Sequence, residues 1–146
     1  KLSLPKAKFV HVYRDPWDNA ISIFKQNFAS ELFYASSFFG IALEYANYEH
    51  LMKYWMKTSF NNIFNVCYED LVSNADKTIK DLWSFCNLSG QYSEERRKKH
   101  FAQTASKQQV TRDIYKTSIN KSEFEGYKDS FFKDLEAQRE FWASIK

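Results

Sequence analysis

Apolar and polar positions follow two rhythms along this chain. From Phe9 to Tyr13 the run Phe-Val-His-Val-Tyr mixes β-branched and aromatic residues, which predicts a short, mostly buried strand. Asp15-Pro16 follows, an N-cap residue with a proline at the first helical position, and predicts an abrupt helix start. Trp17, Ala20, Phe24 and Phe28 then recur at helical spacing as a dry face. Ser22 lies on the polar side about two turns in, and Gln26 follows about one turn later. A longer stripe, Ile41, Tyr45, Tyr48, Met52 and Trp55, predicts a scaffolding helix, with Glu49 and Lys53 as an i,i+4 pair outside it.

Ile63-Phe-Asn-Val-Cys67 predicts a second strand, parallel to the first because a helical crossover separates them. Tyr68-Glu69-Asp70 falls where that strand ends, on the same rim as Arg14. Asp76 to Leu88 reads as an amphipathic helix with Ile79, Leu82, Trp83 and Cys86 inward, stopped near Ser89-Gly90. From Gln91 onward the chain is more polar. It predicts a short helix through Arg96-Arg97-Lys98-Lys99, an extended loop, and a helix from about Gly126.

Composition narrows this picture without deciding it. The 146 residues suit one domain over 1–146, and an aromatic content of 18% can supply a substantial core. A net charge of +3, mixed in sign along the chain, suits an anionic ligand without requiring nucleic acid. Cys67 and Cys86 lack metal-ligand spacing and read as buried, reduced thiols, so a cytoplasmic location and no metal are expected. No stretch is long and apolar enough to span a bilayer, and the amino terminus lacks a signal-peptide layout.

The candidate chemistry lies in Arg14 and Ser22. An arginine at the carboxyl end of a strand, with a serine on the next helix, makes a two-point grip for a phosphate. The plainer alternative is a strand-to-helix turn carrying a surface arginine. Gly40, Gly90 and Gly126 are the only glycines, and none lies in a phosphate-cradling pattern such as G-x-x-x-x-G-K. The basic run at 96–99 is read as a solvated helix face rather than a nucleic-acid patch.

The segment Phe9-Val-His-Val-Tyr-Arg14-Asp-Pro-Trp-Asp-Asn-Ala-Ile-Ser22 resembles the 3′-phosphate-binding segment of sulfotransferases that use 3′-phosphoadenosine-5′-phosphosulfate (PAPS). The likeness continues, in the family's order, through Tyr45 to Trp55, Val66 to Val72, Leu82 to Leu88, and Thr104 to Ile119. It is similar to bacterial sulfotransferases often fused to tetratricopeptide repeats, and more distantly to protein-tyrosine sulfotransferases. The resemblance implies an α/β, P-loop-kinase-like fold, truncated here to a mostly helical domain with a small parallel sheet. It implies Arg14 and Ser22 as 3′-phosphate ligands and Tyr68 beside the adenine. Ser106 to Tyr115 matches a loop folding over the nucleotide, with Ser106, Gln109 and Val110 around it. Thr111 stands where an arginine is expected, and Arg112 follows one position later, leaving open which of the two faces the ligand. Lys121 matches a basic residue that reaches a phosphate. Gln26 stands where protein-tyrosine sulfotransferases use an arginine, so a third charged contact is expected to be missing. Phe124 replaces a common tryptophan, and its spacing to Tyr127 departs from the usual pattern.

What the resemblance does not supply is the 5′-phosphosulfate loop, the catalytic acid/base and the lysine beside the transferred group, all of which belong upstream. The sequence therefore reads as the carboxyl-terminal portion of a sulfotransferase, with no catalytic residue of its own and PAPS as co-substrate. Transfer would go to an unknown hydroxyl or amine, and the portion alone is expected to be inactive. A non-catalytic nucleotide-binding or interaction module is the competing reading, and a small basic RNA-binding domain a weaker one. With the first strand missing, an edge and apolar faces would be exposed, so self-association or dependence on a missing amino-terminal half is expected.

Overall fold

The junction between Tyr13 and Pro16 folds as its local chemistry dictates. In a computed structural model, which describes residues 6–26, 32–59, 62–89 and 122–145, strand β1 (Phe9–Tyr13) gives way at Arg14 to helix α1 (Pro16–Lys25). Asp15 is the N-cap: its Oδ1 accepts the Asp18 backbone N–H at 2.9 Å, and Pro16 occupies the first helical position. The helix ends at Gln26, whose backbone is extended, so Gln26 leaves the helical row that contains Ser22.

The chain divides into two units, and each is described by itself. In the first, α1 is joined by a 3₁₀ turn (Phe33–Ser36), helix α2 (Phe38–Ser59), a second 3₁₀ turn (Ser122–Phe124) and a last helix, Glu125–Ser144. Its core is Trp17, Ala20 and Ile21 from α1, Phe38, Ile41, Ala42, Tyr45 and Ala46 from α2, and Phe131 and Leu135 from the last helix. Aromatic rings interlock there, with the Trp17 centroid 5.0 Å from Phe38 and 5.4 Å from Phe131. The anticipated dry face of α1 is thus centred on Trp17, Ala20 and Ile21. Phe24 sits at its margin, partly exposed yet stacked on Phe38 at 4.6 Å. Phe28 lies outside the described residues. The α2 stripe is buried only in its first half: Ile41 and Tyr45 are buried, Tyr48 and Met52 half-buried, and Trp55 exposed.

The second unit holds β1, most of β2 (Ile63–Cys67), the short helix α3 (Tyr68–Ser73) and α4 (Ala75–Cys86). The two strands pair in parallel as a two-stranded sheet, as the helical crossover predicts. The last helix of the chain, in the first unit, is numbered α5 (Glu125–Ser144). β1 is not buried as expected: Phe9, Val10, Val12 and Tyr13 are all exposed on the two faces of the strand. Periodicity and residue type fix that a segment is extended, but burial depends on what covers it. Phe64 of β2 packs on Phe85 of α4 at 5.1 Å, and the Lys8 ammonium donates to the Phe85 carbonyl.

Helix α4 stops earlier than Ser89-Gly90. Asn87 takes a left-handed conformation at φ 55°, its N–H reaches Ser84 O, and the Leu88 N–H reaches Trp83 O, each at 3.1 Å. That is a Schellman closure with asparagine in glycine's usual place. Ile79, Leu82, Trp83 and Cys86 are half-buried. Both cysteines are free and half-buried rather than buried. Among the described residues no helix is long and apolar enough to cross a membrane.

Candidate functional site

Arg14 is held at two points within the first unit. Its carbonyl oxygen accepts a hydrogen bond from the Tyr45 hydroxyl of α2 at 2.9 Å. Its guanidinium Nη2 donates to Asp18 Oδ2, one turn into α1, at 3.5 Å. Both side chains are largely screened, at 19% and 16% exposed. A contact of that length orients a guanidinium more than it binds it. Asp18 in turn sits in the first turn of α1, where the helix dipole favours a carboxylate.

Ser22 follows Asp18 by four residues, so the two share a helical face. Ser22 is exposed, on the polar side opposite Trp17, Ala20 and Ile21. The result is a half-buried cation where a strand becomes a helix, and a hydroxyl on the face that begins beside it. Two donors of that kind suit an anion with several acceptor oxygens, such as a phosphate monoester.

Tyr45 is built for its task. Its ring is buried and meets Tyr48 edge-on at 5.3 Å, leaving the hydroxyl to reach Arg14. Burial above all, then the phenol of Tyr48 and the carboxylates of Glu49 and Asp15, push its proton affinity well above the ordinary phenol range; Arg139 opposes this. At neutral pH the group is a hydrogen-bond donor. The helix that carries it is tied to α5 by Glu49, whose two oxygens each accept from the Arg139 guanidinium at 2.7 Å. The hydrogen bonds Arg139 donates to Glu49, which outweigh the cost of burial, and then the one it donates to Glu136 strengthen its hold on its proton. Trp142 of α5 adds an indole N–H to Asn47 Oδ1 at 2.8 Å and stacks on His50 at 4.4 Å.

Tyr68 belongs to the second unit, where it opens α3 directly after β2 and is half-buried. Around that strand end the Cys67 thiol donates to Glu69 Oε2 at 3.0 Å. Tyr13, at the matching end of β1, stacks on His11 at 5.7 Å. Its phenol is also raised, by burial first, then by Cys67, Asp70 and Glu69. Ser106, Gln109, Val110, Arg112 and Lys121 lie outside the described residues. Arg14, just before the N-cap of α1, and Ser22, on α1, thus fall in one unit and Tyr68 in the other. Sequence reasoning missed Asp18 and Tyr45. The first has a local signal in its i,i+4 spacing from Arg14; the second has none.

The family model for sulfotransferases matches residues 1–94, a span that includes Arg14, Ser22 and Tyr68. The chain belongs to the sulfotransferase family. A curated relative from Aquifex aeolicus (strain VF5), described only as an uncharacterized protein, is 30% identical over 125 residues. That alignment covers 82% of this chain and 16% of the relative, so the chain spans less than a fifth of the curated protein it matches. No solved structure matches.

Proposed function

We propose that this sulfotransferase chain supplies the 3′-phosphate and adenine side of a PAPS site within a P-loop-like sulfotransferase fold. In the reaction, an acceptor oxygen or nitrogen forms a bond to sulfur as the bond from sulfur to the bridging phosphosulfate oxygen breaks. Adenosine 3′,5′-bisphosphate leaves, and the acceptor's proton passes to a general base. Positioning of the nucleotide dominates such in-line transfers, as it does in phosphoryl transfer. The reading rests on one observation above the rest: Arg14 is fixed by Tyr45 and Asp18 beside the face that presents Ser22. A surface arginine in a plain strand-to-helix turn needs neither hold. Tyr68 would stack or hydrogen-bond at the adenine. Ser106, Gln109, Val110 and Arg112 would contact the nucleotide, and Lys121 would reach a phosphate.

The test is calorimetric titration with adenosine 3′,5′-bisphosphate and with adenosine 5′-monophosphate, which lacks the 3′-phosphate. The bisphosphate should bind preferentially. Removing one charge-assisted hydrogen-bond donor in Arg14→Ala should weaken it by about 10- to 100-fold and leave the monophosphate almost unaffected. Equal binding of the two nucleotides to the unaltered chain would remove the basis for a 3′-phosphate site.

A further inference from the structure

We infer that Tyr45 is a positioning residue for the 3′-phosphate, acting through the main chain of Arg14; the inference rests on the reading of Arg14 given above. The hydroxyl donates to the Arg14 carbonyl at 2.9 Å across 31 positions of sequence. That carbonyl belongs to the peptide entering Asp15, the N-cap whose side chain holds the Asp18 N–H. One hydrogen bond therefore sets both the direction in which the arginine side chain leaves the backbone and the start of the helix that carries Ser22. Arg14 is the last residue before that helix cap, so its carbonyl lies at the hinge between side chain and helix start.

The donor is rigid at its other end. The Tyr45 ring lies in the core with Ile41, Ala42 and Ala46, and α2 is clamped to α5 through Glu49 and Arg139. A tyrosine needed only for packing would be satisfied by a ring in that place. The hydroxyl adds a bond that reaches a ligand residue and leaves the core unchanged when removed. Burial keeps the phenol protonated, so the bond persists through the neutral range.

The test is a double-mutant cycle on nucleotide preference. In the unaltered chain, Tyr45→Phe should lower the affinity ratio of adenosine 3′,5′-bisphosphate to adenosine 5′-monophosphate by about three- to tenfold, the scale of one hydrogen bond. In the Arg14→Ala background the same change should leave the ratio where it is, because no guanidinium remains to be aimed. A merely structural tyrosine would weaken both nucleotides alike and keep the ratio in both backgrounds, whatever the loss of stability, and that result would overturn the inference. An unaltered chain that does not distinguish the nucleotides would instead overturn the phosphate site itself, and this inference with it.

Discussion

Gly40 has no room for a methyl group. A Cβ built there would meet the Tyr34 carbonyl oxygen at 2.7 Å, the Tyr34 Cα at 3.0 Å and the Ser37 Oγ at 3.2 Å. Two of these are backbone atoms of the preceding 3₁₀ turn and cannot swing aside. Ser37 is also committed, since its Oγ accepts the Gly40 N–H at 3.0 Å and caps α2. Alanine favours a helix over glycine by about 1 kcal/mol, which argues for stabilisation. The clash opposes it and is the larger effect. Gly40→Ala should therefore destabilise the chain by about 1–3 kcal/mol, lowering Tm by about 3–10 °C. Thermal denaturation followed by circular dichroism measures this, and an unchanged or raised Tm would mean the turn yields easily. Sequence could not disclose the constraint, because the crowding comes from how the turn folds back. Asp15 and Pro16 were legible for the converse reason: capping is local chemistry, complete within four residues.

At the scale of elements, the pairing of α2 with α5 turns on a contact that helical spacing points away from. Glu49 and Lys53 stand at i,i+4 and predict a surface pair of about 0.2–0.5 kcal/mol. Glu49 instead takes Arg139, 90 residues away, in a two-pronged arrangement with both bonds at 2.7 Å. The planar guanidinium fork matches a carboxylate in a way an ammonium does not. The Arg139 and Glu49 side chains are 32% and 24% exposed, so solvent screens part of this attraction. A double-mutant cycle of Glu49→Gln with Arg139→Gln, read by urea denaturation, should give a coupling of about 1 kcal/mol. Additive effects would reduce the pair to a surface contact. Strand β2 was legible to the residue, because a short run apolar but for Asn65, set between Asn61-Asn62 and the acidic Glu69-Asp70, marks its own boundaries. The end of α4 was not, because an asparagine took the left-handed closure that glycine usually marks.

Among the described residues, the order of β1, α1, α2, β2, α4 and α5 and the turn from Arg14 into the helix of Ser22 were legible because they rest on local patterns; α3 and burial were not. Phe9 and Val12 lie in a strand read as mostly buried and are exposed, at 48% and 54%. Tyr45 read as packing and is also a hydrogen-bond donor to Arg14. One global property follows from tyrosines in both units. Tyr45 in the first and Tyr13 in the second each hold their proton more tightly when folded than an ordinary tyrosine does. When the folded state binds a proton more tightly, stability is fully present below the unfolded pKa and falls as pH rises through the folded one. The chain should therefore keep its stability up to about pH 10 and lose it above. Tyr13 is 41% exposed, so solvent screening leaves Tyr45 to dominate. Lysines also lose charge in this range, so a fall in the unaltered chain alone would not assign the cause. Urea midpoints measured from pH 8 to about pH 11 for the unaltered chain and for Tyr45→Phe separate the two. The variant should start less stable and decline less steeply, because it lacks the buried proton. Parallel declines would place the alkaline loss in the lysines and leave the buried phenol with no part in it.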